Sequence, residues 1–308
     1  MIPGPDPRPR CSSVSRDLHV DPIGTAGHYE TFVLVEQPLP WPGHVEDLPL
    51  LAEVSFRVGS VFPESRTRVQ AVVGDGGDRA ERSVVVYRRR PGPFSSFSRL
   101  EGRARAEDVP ELVGDLSDAF RRGLATEDEG GLVDLLICTH GARDRCCGSL
   151  GMGLWNATKD DDPGVRRWRT SHTGGHRFAP TALILPHGQY WAYLDERSLL
   201  SILGRSCHPA ELAWQYRGSA ACRSGAEQVA EREAFVRNGW EWLGWRRSTE
   251  DLGGGRVHIR FESPSGRPGT YEVDTEVARS VPVPRCGQPA ETWEEEATEL
   301  RVTGFRQV

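Results

Sequence analysis

Five residues of this chain carry chemistry at spacings that single them out. Cys138 closes an apolar run, and two adjacent cysteines, Cys146 and Cys147, follow it eight and nine residues later. Beyond them "SHTGGHRFAP" sets His172 and His176 four residues apart, with two glycines between. Two thiols and two imidazoles in that order suit four kinds of site. A structural zinc site accepts His-x3-His, but zinc modules usually place their cysteines about two to four residues apart. A thiol–disulfide enzyme wants Cys-x-x-Cys at a helix start, where the dipole lowers a thiol pKa. The 138–147 interval is too wide for that, and a vicinal 146–147 disulfide is strained. A [2Fe–2S] cluster needs four protein ligands, and two imidazoles can replace two thiolates on one iron. Buried thiols beside unrelated histidines are the fourth possibility.

The cluster reading has electronic consequences. Neutral imidazole in place of thiolate lowers the negative charge on the cluster, so reduction becomes easier by on the order of hundreds of millivolts. Imidazoles can also gain a proton as iron is reduced, which couples potential to pH. Gly174 and Gly175 supply bends that let both rings turn toward one metal. Within the loop, His140, Arg143 and Asp144 can hydrogen-bond to cluster sulfurs or ligands. Arg143 and Asp144 can equally form a local pair or a helix cap. "GSLGMG" (148–153) lacks the spacing and the Lys-Ser/Thr of a phosphate loop, so its glycines are expected to pack a helix against a sheet.

The elements that must position these residues are legible as periodicity. "EDVPELVGDLSDAFRRGL" (107–124) reads as a helix, and "GGLVDLLICTH" as a buried strand ending at Cys138. "DRCCGSLGMGLWNATKD" has helical spacing, and "VRRWRTSH" reads as a strand. A strand at 181–186, a turn at His187-Gly188, a strand at 189–194 and a helix at 195–204 complete the run. The order β-α-β-β-β-α is that of a thioredoxin-like core. Pro180, opening a central strand, fits the cis proline often found there. In such a core the loop after the first strand faces the loop before the third, so the cysteines and histidines converge.

Around this core the first segment has strands at 30–37, 67–74 and 82–89, with "LLAEVSFRVG" of mixed periodicity and possibly helical. "RPGPFSSFSRLEGRA" (90–104) looks like a linker or long loop. The last segment carries a helix at 224–245, a hairpin pattern at 256–277 and an acidic stretch near the end. No internal repeat is visible. Trp240, Trp242 and Trp245 read as core packing. The expected class is α/β (α+β overall): residues 1–105 β-rich, 106–205 thioredoxin-like, 206–308 α+β.

Bulk properties narrow the function. Hydrophobic content of 37% and charged content of 27% are those of an ordinary globular protein. A net charge of −6 gives no global attraction to nucleic acid. No run approaches the roughly 20 apolar residues of a membrane span, and "MIPGPDPRPRCSSVSRD" has no secretory h-region, so no membrane partner and a cytoplasmic location are expected. Seven cysteines in a reducing compartment point to metal or redox chemistry rather than bridges. Cys11, Cys207, Cys222 and Cys286 are scattered and read as small hydrophobes.

The chain resembles the sucrase/ferredoxin-like family in "CTHGARDRCC" (138–147), "SHTGGHRFAPTALILPHGQYW" (171–191) and the opening "DPIGTAGHYETFVLVEQPLPW" (21–41), with "YRG" (216–218) beyond. The resemblance reaches from near residue 11 to about 205. It implies a thioredoxin-like ferredoxin whose [2Fe–2S] cluster is held by two Cys and two His outside the Rieske fold. Carried over by position, Cys138 and Cys147 hold one iron and His172 and His176 the other, with Cys146 as the alternative to Cys147. The implied role is one-electron transfer with an unidentified redox partner protein or reductase. A structural zinc interaction protein and a thiol oxidoreductase are the competing expectations. No paired carboxylates of a glycosidase are evident, so the family name carries no sugar chemistry here.

Overall fold

The structure is a computed structural model that describes residues 10–74, 80–125, 131–158 and 162–308. A short helix α1 (Cys11–Asp17) precedes two successive runs of the same element order. The first is β1 (Thr31–Glu36), α2 (Pro49–Val61), β2 (Thr67–Val73), β3 (Glu81–Arg88), β4 (Ser98–Arg105) and α3 (Val109–Arg121). The second is β5 (Val133–Cys138), a π-helical turn Cys147–Gly151 continuing into α4 (Met152–Ala157), β6 (Val165–Thr170), β7 (Ala182–Leu185), β8 (Gln189–Trp191) and α5 (Glu196–Gly204). With β9 (Tyr216–Ser219) they form one nine-stranded mixed sheet, ordered β4-β3-β1-β2-β6-β5-β7-β8-β9.

The sheet contains a repeat. Within the first run β1 is parallel to β2 and antiparallel to β3, which is antiparallel to β4. Within the second, β5 is parallel to β6 and antiparallel to β7, which is antiparallel to β8. The runs join where β2 and β6 pair antiparallel through Val72↔Thr170 and Val73↔Arg169. Next to that seam Ser171 donates its hydroxyl to Gln70 at 2.7 Å and accepts the Ala71 N–H at 3.2 Å. Read outward from the seam, strand order is the same on both sides. The repeat is one of topology without sequence likeness, which is why it was not expected.

Alternation explains how the strands are buried. Val33, Val35, Val84 and Val86 face α2 and α3 with Leu51, Val54, Val58, Val109 and Val113. Phe32, Leu34, Val85 and Tyr87 face the opposite way, in a cluster that also takes Leu136, Leu183 and Leu185 from the second run. On β5 the neighbours of Leu136, namely Leu135 and Ile137, pack with Leu154, Trp155, Leu199 and Ile202. At the start of β5, Asp134 is fully buried. Its carboxylate accepts the Tyr87 hydroxyl at 2.5 Å, Arg166 at 2.6 and 2.8 Å and the Trp168 indole N–H at 2.7 Å. One anion thus ties β3 of the first run to β5 and β6 of the second.

The remainder of the chain folds as α6 (Gly225–Asn238) against a four-stranded antiparallel sheet, β10 (Arg246–Asp251), β11 (Arg256–Glu262), β12 (Pro268–Pro282) and β13 (Glu296–Gln307). Trp242 is fully buried beside Trp245, Phe261 and Tyr271, so the tryptophan cluster is core, as expected. Two expectations change. The stretch read as a linker runs into β4, which pairs with β3 along its whole length; Pro91, Gly92, Pro93, Ser95 and Ser96 lie on the approach, while Ser98 and Gly102 are inside the strand. The helix expected to run to 245 ends at Asn238, because Gly239 takes φ +71° and short helical turns follow. The acidic end of the chain forms most of β13, pairing with β12. No helix among the described residues is long and apolar enough to cross a membrane.

Candidate metal centre

Cys138 is the last residue of β5, held in the sheet by its N–H on the Thr181 carbonyl at 3.0 Å. The chain then loops to Asp144, whose carboxylate accepts the N–H groups of Cys146 at 2.8 Å and Cys147 at 3.3 Å. That is an N-cap: an acidic side chain satisfying donors that a helix start leaves free. Glycine then brings the helix against the strand. A Cβ on Gly151 would lie 1.9 Å from the Cys138 carbonyl oxygen, and one on Gly148 2.5 Å from the Gly141 Cα. Gly151 therefore packs the helix on the strand, as expected of this stretch, and Gly148 packs it on the preceding loop, while Gly153 is exposed and meets neither.

The histidines enter from the opposite loop. After β6, Gly174 and Gly175 adopt φ +81° and +68°, a left-handed pair that few side chains tolerate. They fold the chain so that the His172 and His176 rings stand 5.9 Å apart. The Ala179–Pro180 peptide that follows is cis. One ligand atom each from Cys138, Cys147 and His172 lies within 4.8 Å of the others. Both thiols are buried. The thiol of Cys147 bonds to Cys138, which holds the Cys138 thiol far below its ordinary range and raises that of Cys147. The His172 ring contributes to the same lowering of Cys138.

His172 Nδ1 is buried with no hydrogen-bond partner. Buried polar atoms are rarely left so, and the ring that carries it offers a nitrogen within 4.8 Å of two thiol sulfurs, a donor set with the chemistry of a metal site. Two thiolates with imidazole fit both a zinc ion and a cluster in which histidine replaces cysteine. His176 lies outside the tight trio. Its Nδ1 meets Asp144 Oδ2 at 3.1 Å and Cys11 Sγ at 3.3 Å, and its side chain is 31% exposed, making it the outer histidine.

The three supporting residues expected in the loop part company. His140 accepts the His172 backbone N–H on Nδ1 at 3.2 Å and donates Nε2–H to the Pro42 carbonyl at 2.7 Å. Burial lowers its pKa, in keeping with a neutral ring that does both. Asp144 is the helix cap and the partner of His176. Arg143 turns outward to the exposed His44 ring at 2.7 Å.

Sequence reasoning missed several residues. Arg68 donates to the His172 carbonyl. Arg217, almost fully buried, donates to the carbonyls of Gly174 at 3.1 Å and Thr25 at 2.7 Å. Among the described residues no carboxylate pairs with it. Burial lowers its pKa to about 10, while Cys138 and Cys147 oppose that shift. The other omission is a second thiol group. Cys146 points away from Cys147's partners to Cys286 at 3.1 Å and Cys11 at 3.6 Å, and Cys286 meets Cys11 at 3.2 Å. With Asp144 these form a second set of donor atoms within 4.8 Å of one another. Cys11 and Cys286 were read as scattered hydrophobes; nothing local in the sequence signals their meeting. Cys207 and Cys222 belong to neither group.

The sites open toward solvent. A depression of about 540 Å³ reaches both His172 and His176, with Asp144, Arg285 and Glu295 on its walls. Another, of about 490 Å³, meets His172 beside His140 and Arg68. The sequence profile of the sucrase/ferredoxin-like family matches residues 22–218, an interval that contains Cys138, Cys147, His172 and His176. No curated protein and no solved structure matched the chain.

Proposed function

The chain belongs to the sucrase/ferredoxin-like family, and from that premise we propose that it is an electron-transfer protein whose [2Fe–2S] cluster is held by Cys138, Cys147, His172 and His176. The observation that carries this reading is the convergence of two buried thiols on an imidazole that has an unpartnered buried nitrogen. The strand order β6-β5-β7-β8, with a helix start after β5 and a cis proline before β7, supports a thioredoxin-like scaffold for the second run. When bound, the cluster supplies one-electron oxidation and reduction at a potential raised by its two neutral ligands.

The protein's own part is to hold donors and to manage charge. Asp144 caps the cysteine helix and orients His176 through Nδ1, leaving Nε2 for metal, in the manner of carboxylate–histidine–metal triads. His140 fixes the backbone of His172. Arg217 braces the Gly174 turn and places an unpaired buried cation near the thiolates, offsetting negative charge that burial would otherwise disfavour. The half-exposed His176 and the depression beside it make the electron exit, and a redox partner protein or reductase docks there.

The test is iron, zinc and acid-labile sulfide analysis of anaerobically purified protein, with its visible spectrum. About two irons and two sulfides per chain are expected, falling together in Cys138→Ser and Cys147→Ser. His172→Cys and His176→Cys should each lower the reduction potential and flatten its pH dependence. Iron-free protein with zinc bound through Cys138 and Cys147 would make the centre a structural staple. Protein with neither metal, and a reversible disulfide, would make it a thiol oxidoreductase.

A further inference from the structure

We propose a second metal site, adjacent to the first, in which Cys11, Cys146 and Cys286 bind a single zinc ion with Asp144 as the fourth ligand. The three sulfurs stand 3.1, 3.2 and 3.6 Å apart, and all three cysteines are free of disulfides. A three-way contact is not the geometry of a disulfide, since joining any two at about 2.05 Å leaves the third behind. Nor does thiol hydrogen bonding account for it, because S–H is a weak donor and the Cys11 and Cys146 side chains are buried. Three thiolates on one tetrahedral ion, with zinc–sulfur bonds of about 2.3 Å, stand about 3.8 Å from one another. The trio reaches that spacing when its separations open by about 0.7, 0.6 and 0.2 Å. Ligands on separate irons of a cluster would stand farther apart.

The fourth position has an oxygen in place. Asp144 Oδ1 is 3.8 Å from Cys286 Sγ, while Oδ2 faces His176. Soft thiolates select zinc over magnesium or calcium. With three sulfurs and a carboxylate the shell is closed, which is the pattern of a structural ion rather than a catalytic one. Cys11 opens α1, which packs on the helical turn His176–Phe178, and Ser12 adds a hydrogen bond to the Ala179 carbonyl at 2.5 Å. Cys286 comes from the loop between β12 and β13. The ion therefore clamps three segments remote in sequence around the outer histidine. Cys11 and Cys286 also lie outside residues 22–218, so this site is an addition to the family's matched region.

The adjacent cysteines are thus divided between two metals, Cys147 inward to the first centre and Cys146 outward to the second. The test uses the full chain, with zinc, iron and sulfide measured on one sample, and cobalt(II) as a coloured substitute for zinc. The expected result is about one zinc per chain, lost at least tenfold in the Cys11→Ser/Cys286→Ser double variant while iron and sulfide stay at the parent level. Cobalt-loaded protein should show thiolate-to-metal absorption that the same variant lacks. Cys286→Ala, at the least buried of the three, repeats the test should the double variant fail to fold. Zinc that persists in both variants overturns the proposal. So does parent protein that neither contains zinc nor takes up a stoichiometric amount, or one whose mass shows two of the three thiols oxidised together. Failure of the cluster reading is registered separately, in the iron and sulfide content and its response to Cys138→Ser.

Discussion

Gly151 is the point where helix and strand touch, and replacing it with alanine tests whether that touch sets the cysteine pair. The added Cβ would lie 1.9 Å from the Cys138 carbonyl oxygen and 3.1 Å from its carbon. Both partners are backbone, so no side chain can swing aside. Restoring even a tight 3.0 Å contact opens the helix from the strand by about 1.1 Å. Metal–ligand bonds tolerate only about 0.2 Å, so the displacement carries Cys147 out of reach of a metal that Cys138 holds. Overpacking a dense core costs about 1–3 kcal/mol, and a backbone clash of this depth belongs at the upper end. Gly153 is the control: it lies two residues on, is exposed, and has nothing within 4 Å of its Cβ position. Gly153→Ala should be neutral or stabilise the helix by up to about 1 kcal/mol. Denaturant melts and iron content on the two variants separate steric from propensity effects. Gly151→Ala protein with parental stability and a full complement of iron would refute the reasoning.

Other consequences are open to measurement. Asp134→Ala removes four hydrogen bonds from a buried carboxylate and should cost about 3 kcal/mol by urea unfolding; the lower end of the range applies because Arg166 keeps Glu101 at 2.8 Å. Arg217→Met should lower the reduction potential, read by voltammetry, because a buried cation near the thiolates is lost; an unchanged or raised value would deny it that role. Asp195 caps α5, accepting the Ser198 N–H at 2.8 Å, and that bond lowers its pKa. Asp195→Ala should cost about 1 kcal/mol at neutral pH. A lowered folded-state pKa contributes stability that is present above the unfolded value and lost as pH falls through the folded one. The gap between parent and variant should therefore narrow in acid, and a gap independent of pH would place the effect elsewhere.

What the sequence by itself determined is local. Apolar runs and alternation located β1, β2, β3 and β5, and helical spacing located α3, α5 and α6, because burial on one or two faces writes its period into neighbouring residues. The four-residue interval of the histidines and the two glycines between them foretold a turn, and the structure gives it left-handed backbone. β4 stayed hidden behind Pro and Gly, since its Arg and Glu residues give little apolar signal at the sheet's edge.

The tertiary structure decided where each thiol points. Successive residues of a helix are turned by about 100°, so Cys146 and Cys147 had to face different surroundings, and only the packing of α1, the strand end and the β12–β13 loop says which. Cys11 and Cys286 are 275 residues apart, and no local pattern records a contact made across that distance. The same holds for Arg217, whose bonds to the Gly174 and Thr25 carbonyls join segments remote in sequence, and for the repeated strand order, which rests on pairing rather than on residue identity.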